Sequence, residues 1–193
     1  CVVLPKYDLP EVAQKIGLEN KCQPTAIKAS FYETSGVGFT EGRFVDPYEK
    51  HSSRIKLSSY YVIEEIKKDG RLNLSATDLE KLTRSIEFQV SVDMISSSFQ
   101  QAWYWSTIIT LGILPSWGKA KMNLKAIIID ENGITKGLFR SGEVEYHMLN
   151  GLIFFPLNFS DKYTLEDLES KMLPKMTDQI IAQIINSNVL CLR

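Results

Sequence analysis

Histidine and cysteine are scarce in this sequence, and charge of either sign is never concentrated. Two histidines and three cysteines leave few parts for a metal centre, and no CxxC or Cys/His cluster gathers them. His51 lies in a loop and His147 just before an apolar block, and both read as surface residues. A GxSxG elbow, an HExxH pair and a phosphate-binding glycine loop are missing too. The glycines of GVGFTEG (36–42) lack the GxGxxG spacing. Glu64 and Glu65 stand beside Lys67 and Lys68, which reads as a solvated helix face rather than an acid/base pair. The expectation is a protein without catalytic residues, metal or cofactor. A formal net charge of −1 supplies no basic field for nucleic acid. No segment approaches the run of about 20 apolar residues that carries a helix across a bilayer.

What is present is globular in kind. Hydrophobic residues make up 44% and charged residues 23%, values that suit a folded core rather than disorder. A chain of 193 residues fits one domain and can bury that core without staples. Neither an internal repeat nor a low-complexity tract divides it.

Periodicity locates the elements. TAIKASFYE (25–33) alternates, with Ile27, Ala29 and Phe31 on one side, as a half-buried strand does. TSGVGFTEGRFVDPYEKH (34–51) reads as a long loop. Ser52 or Ser53 caps a helix running to about Lys68, with Ile55, Ser59, Val62, Ile63 and Ile66 on one face. Asp69-Gly70 stops it. RLNL (71–74) suits a short strand, and SATDLEKLTR (75–84) opens on a capping pattern for a second helix.

SIEFQVSVDMI (85–95) is the clearest strand: Ile86, Phe88, Val90, Val92 and Met94 match a period of two. AKMNLKAIIID (120–130) and GITKGLFRSGEVEY (133–146) form a hairpin about Asn132-Gly133, with Gly142 placed for a bulge. Thr164 caps a last helix whose apolar stripe is Leu165, Leu168, Met172, Met176, Ile180, Ile181, Ile184 and Ile185. Pro174 is expected to kink or divide that helix. The order predicts an α+β two-layer sandwich, a mostly antiparallel sheet of about four or five strands with helices on one face.

Residues 1–24 read as a loosely docked tether, with Pro5, Pro10 and Pro24 around EVAQKIGLENK, and residues 25–193 as the single α+β domain. The chain opens on Cys1 rather than methionine, as a processed or trimmed form would. A chain beginning at cysteine resembles a mature bacterial envelope lipoprotein of the Gram-negative or spirochaete kind. There the signal peptide is removed before a cysteine that carries lipid chains such as palmitate. The resemblance implies a membrane anchor at Cys1 and, with Val2 following, a place on the periplasmic side of the outer membrane. Stable anchoring takes two acyl signals or more. Setting Cys1 aside leaves Cys22 and Cys191, either bridged in an oxidising compartment or two separate thiols. LGILP (111–115), a strand and then DENG (130–133) are similar to uncharacterised bacterial lipoproteins with a Leu-Gly-x-x-Pro stretch before a hairpin. The layout resembles small periplasmic domains of outer-membrane lipoproteins and of TolB-like proteins. The likeness spans roughly residues 85–155 and implies location and fold, with no catalytic residue.

AWYWSTIITLGILPSW (102–117) holds three tryptophans and no charge. It joins the strand ending near residue 95 to the one starting near residue 120. A second apolar block, MLNGLIFFPLNF (148–159), follows the next strand. In an antiparallel meander both blocks fall at one end of the sheet. Gly112, Pro115 and Gly118 argue against a continuous helix in the first block, and Pro156 against one in the second. Either the two blocks complete the core, or they form an interaction surface from Trp103, Tyr104, Trp105, Ile108, Leu111, Leu114, Trp117, Leu152, Phe154 and Phe155. Such a pole suits a lipid-anchored accessory or scaffold subunit that docks a membrane or an envelope protein. The alternatives are a carrier for a lipid or other apolar ligand, with these loops as its mouth, and a hydrolase with an unrecognised site.

Overall fold

The computed structural model describes residues 2–6, 9, 28–35, 42–45, 58–70, 72, 84–95, 98–111, 113–130, 132–152, 164–187 and 189. Its strands are β1 (Val2–Pro5), β2 (Lys28–Ser35), β3 (Gly42–Val45), β4 (Arg84–Ile95), β5 (Ser116–Asp130), β6 (Thr135–Arg140) and β7 (Val144–Asn150). Its helices are α1 (Ser58–Asp69), α2 (Ser98–Ile109) and α3 (Leu165–Ser187). The strands form one sheet in the order β1-β7-β5-β4-β2-β3, with β6 also paired to β5. All pairings are antiparallel except β2 with β4. The fold is an α+β sandwich of two layers, sheet and helices.

Alternation decides which face is covered. On β4, Ile86, Phe88 and Val90 are buried; opposite them on β5 stand Ile128, Ala126 and Leu124, buried as well. Met122 and Ala120 continue the row beside Val144 and Tyr146 of β7. Val62 and Ile66 of α1 close over this face with Met172, Leu173, Met176, Ile180, Ile181 and Ile184 of α3. The intervening residues, among them Gln89, Lys119 and Lys125, belong to the opposite, open face.

Several local devices follow the expected chemistry. Gly70 takes φ +71° and donates its N–H to Ile66, ending α1. The Thr164 hydroxyl accepts from the Asp167 N–H at 3.1 Å, capping α3. At the β5–β6 turn, Gly133 takes φ +76° while Asp130 Oδ1 accepts from the N–H groups of Asn132 and Ile134, each at 2.9 Å. The Ile134 N–H, Lys136 and the Asn132 N–H together hold the Asp130 carboxyl below the usual carboxylate range.

The expected bulge at Gly142 divides one long strand into β6 and β7. Both lie along β5, but the register moves by one residue between Lys125↔Arg140 and Met122↔Val144. Its loosened backbone is caught from above. Gly142 N–H donates to Gln179 Oε1 at 2.8 Å, and Gln183 Nε2 donates to the Arg140 carbonyl at 2.9 Å.

Five expectations need correction. Residues 2–5 are not a loose tether: β1 pairs along β7, Val2 and Val3 are buried, and Leu9 joins the core against Gly142. Four apolar or proline residues carry no periodicity worth reading, so the edge strand was invisible. Residues 42–45, expected within a loop, form β3 against β2. With the bulge, these raise the strand count to seven. α3 runs unbroken through Pro174, since its apolar stripe is held to the sheet on both sides of that residue. Its predicted first stripe residue, Leu165, is exposed. Finally, Glu65 is buried on α1, paired to Lys68 at 3.4 Å, while Glu64 keeps the solvated role. Leu72 of the RLNL segment joins the core. His51, the Ser52–Ser53 cap, Ile55, residues 75–83 of the helix expected over 75–84, Cys1, Cys22 and Cys191 lie outside the described residues, and Arg84 opens β4 instead of closing that helix.

Candidate docking site

The register fixes one end of the sheet as a pole. Ile95 of β4 faces Lys119, Ser116 of β5 faces Asn150, and Val2 of β1 faces Leu149. The end of β4, the start of β5, the end of β7 and the start of β1 therefore share this edge of the molecule. Both apolar blocks emerge from it, as the meander required.

The first block is not a loop throughout. Ser98–Ile109 is α2, and it ends ahead of Gly112 and Pro115, so the helix does not continue through the block, as expected. Trp103 and Thr107, four residues apart, face inward. Trp103 Nε1 donates to the Pro115 carbonyl at 2.7 Å, and its ring meets Trp117 at a centroid distance of 6.0 Å. Thr107 Oγ1 donates to the Trp103 carbonyl. Helix, turn and β5 are thereby stapled together.

Beyond the staple the surface is apolar and open. Trp105 is 62% exposed, Ile109 79%, Leu111 86% and Ile113 67%; Ile108, Leu114, Trp117 and Leu152 are exposed as well. Side chains that accessible project from the molecule. Leu111 adopts φ +52°, a left-handed conformation costing a non-glycine residue roughly 1–2 kcal/mol. A strained leucine thus stands at the most exposed point of the pole.

The described N–H groups from Thr110 to Leu114 are bonded within the turn. The N–H groups of Thr110, Leu111 and Ile113 donate to the carbonyls of Ser106, Ile108 and Thr110. Leu114 N–H donates to Thr110 Oγ1 at 3.3 Å, and that hydroxyl donates to the Ser106 carbonyl at 2.8 Å. From Met94 to Gly118 the sequence has no charged residue. The first charge on the emerging strand is Lys119, exposed and on the same face as Trp117.

Of the ten surface residues expected from sequence, the structure brings Trp105, Ile108, Leu111, Leu114, Trp117 and Leu152 to the exposed pole. Trp103 is there but half-buried, a strut rather than a contact. Tyr104 lies in α2, and Phe154 and Phe155 lie outside the described residues. Ile109 and Ile113 were missed, although they are more exposed than most that were named. A helical register through residue 109 would have found Ile109.

A second row differs from the main core. Val2, Leu149 and Trp117 stand side by side on the open face, and Val2 is fully buried without belonging to the cluster under α1 and α3. Two tyrosines have raised pKa values. Burial and then the Glu166 carboxylate push Tyr61, which donates to Glu166 at 3.3 Å, up to about 12. Burial, then Glu169, pushes Tyr146 up as well, and its hydroxyl has no hydrogen-bond partner among the described residues. Both stay protonated near neutral pH. Among the described residues no three of His, Cys, Asp and Glu group as metal ligands, and no helix is long and apolar enough to cross a membrane.

No protein-family model and no curated protein matches the chain. Two solved structures are similar in part. A PelC dodecamer from Paraburkholderia phytofirmans has 7% identity and a TM-score of 0.35, with 81% of this chain and 87% of that one covered. The hypothetical protein CT253 from Chlamydia trachomatis has 7% identity and a TM-score of 0.34, covering 86% of this chain and 98% of that one. Similarity so slight carries nothing about function. The class the chain itself defines is an α+β sandwich with an exposed apolar pole.

Proposed function

We propose that this protein is a non-catalytic accessory or scaffold subunit of the bacterial envelope, a lipoprotein held by acyl chains on Cys1 and docking through its apolar pole. The observation that supports docking is the group of exposed large side chains from Trp105 to Trp117, together with Leu152, gathered at one end of the sheet. A contiguous apolar patch on a folded domain marks an interaction site. The proposed anchor would act at the same end, because β1 starts there.

Site-specific photocrosslinking in the native envelope tests the reading. A crosslinker replacing Trp105 should give discrete adducts, and the same group replacing Lys136, beside the far turn, should give none. Equal labelling at both positions would remove the pole from the account. For the anchor, Cys1→Ser should move the protein from the membrane pellet to the soluble fraction. Retention of that variant after a carbonate wash would place the anchor elsewhere.

A further inference from the structure

We infer that the occupant of the pole is the interfacial layer of a phospholipid bilayer, into which Ile109, Leu111 and Ile113 dip while Trp105 and Trp117 lie at headgroup level. The inference rests on the docking function proposed above and names the partner.

The hydrogen-bonding of the turn carries it. A protein partner meets an interface with a polar rim, about one hydrogen bond per 100–200 Å², so a surface built for one keeps donors and acceptors facing outward. Hydrocarbon imposes the reverse: backbone donors must be satisfied internally. Here the N–H groups of Thr110, Leu111, Ile113 and Leu114 are all bonded within the turn. The hydroxyl of Thr110 is bonded there too, and the indole N–H of Trp103 is bonded to Pro115. The left-handed turn at Leu111 allows this closure while presenting aliphatic side chains outward.

Exposure and charge agree. Ile109, Leu111 and Ile113 are the most exposed large apolar side chains among the described residues, and side chains so accessible enter a bilayer without a matching pocket. Interfacial segments bury their apolar side roughly 5–10 Å into the headgroup and acyl boundary. Tryptophan favours that boundary. The uncharged stretch ends at Lys119, on the face of Trp117 and one step further from the turn, where an ammonium reaches anionic headgroups. Whatever precedes Val2 also leaves the sheet at this end, beside Leu149 and Trp117.

The full chain carrying Cys1→Ser, so that no acyl group contributes, is mixed with vesicles of phosphatidylcholine alone or of phosphatidylethanolamine with phosphatidylglycerol. It should sediment with both, shift its tryptophan emission to the blue, and be quenched by lipids brominated in the acyl chain. Ile109→Ser and Ile113→Ser, separately, should each weaken sedimentation about tenfold, since burying an isoleucine side chain is worth that or more. Both side chains are exposed, so the melting temperature should hold; if one variant melts early, the other is read. Lys119→Ala should lose about fivefold on the anionic vesicles and nothing on phosphatidylcholine.

A folded protein that ignores both vesicle types overturns the inference, as do isoleucine variants that bind undiminished. If vesicles are ignored while the crosslinker at Trp105 still yields one discrete protein adduct in the envelope, the pole docks a protein: the bilayer falls and the docking function stands. Loss of both signals sinks both.

Discussion

The two ends of β5 both carry large apolar side chains, and these have opposite fates. From Ala120 to Ile128 every second residue is apolar and disappears under α1 and α3; Trp117, at the other end, remains in the open beside the exposed residues of α2 and the turn. Hydrophobicity therefore does not determine burial here. A core residue needs an opposing element at the right height, which α1 and α3 supply over the row from Ala120 to Ile128. The difference teaches that an apolar side chain is buried where a covering helix meets its face of the sheet: Ala126 and Ile128 are buried within an unbroken apolar run, and Trp117 is not.

The comparison breaks first at Phe88. It is fully buried, so Phe88→Ala should cost ~3–5 kcal/mol in urea unfolding. A cost near zero would mean that the core is not where the sheet puts it. Trp103 should be intermediate, as a half-buried strut bonded to Pro115. Trp103→Ala should cost about 2 kcal/mol, below the figure for a fully buried aromatic, and should loosen α2 in hydrogen exchange. If it behaves like an exposed residue, the staple between α2 and β5 is absent.

Smaller effects sharpen the contrast. Tyr146 buries a hydroxyl without a partner among the described residues, so Tyr146→Phe should raise stability by about 1 kcal/mol; a loss would reveal a hydrogen bond at that site. Leu111→Gly should relieve the left-handed strain for a net gain of about 0.5–1 kcal/mol, while reducing association through the pole. A loss of stability would show that leucine is needed by the fold. Smallest of all, Trp105→Ser and Gln89→Ala should each stay within about 0.5 kcal/mol in a thermal melt. A larger drop for Trp105→Ser would make it part of a core.

Much of this contrast was legible in the residues. Five apolar positions at period two placed β4, Asn132-Gly133 placed its neighbour's hairpin, and Gly142 placed the bulge, because each depends on local chemistry. The pole followed from the meander alone. Less visible was what depends on distant partners. VVLP is a strand only because β7 has a free edge for it, and GRFV only because β2 does. Within AWYWSTIITLGILPSW, Gly112, Pro115 and Gly118 exclude a continuous helix, and α2 ends before them at Ile109, but nothing in them shows that the residues ahead are helical. Without that helix, the division of labour stays hidden between Trp103, which faces Trp117, and Trp105, which faces outward.

The pairing of β1 with β7 also sets how the domain bears a load. β1 starts at the pole and runs away from it, antiparallel to β7 from Val2↔Leu149 to Pro5↔Tyr146. Antiparallel hydrogen bonds lie perpendicular to their strands. A force applied to the chain ahead of Val2 and directed outward from the pole pulls β1 along its own axis. The bonds of the ladder are then strained together in shear, instead of opening one after another as they would if the strand were peeled sideways. The Lys6 N–H, bonded to the Glu145 carbonyl at 3.0 Å, extends the same resisting ladder. Tugged from that end, the sheet holds as a clamp; tugged from the Pro5 end across the strands, it opens as a zip.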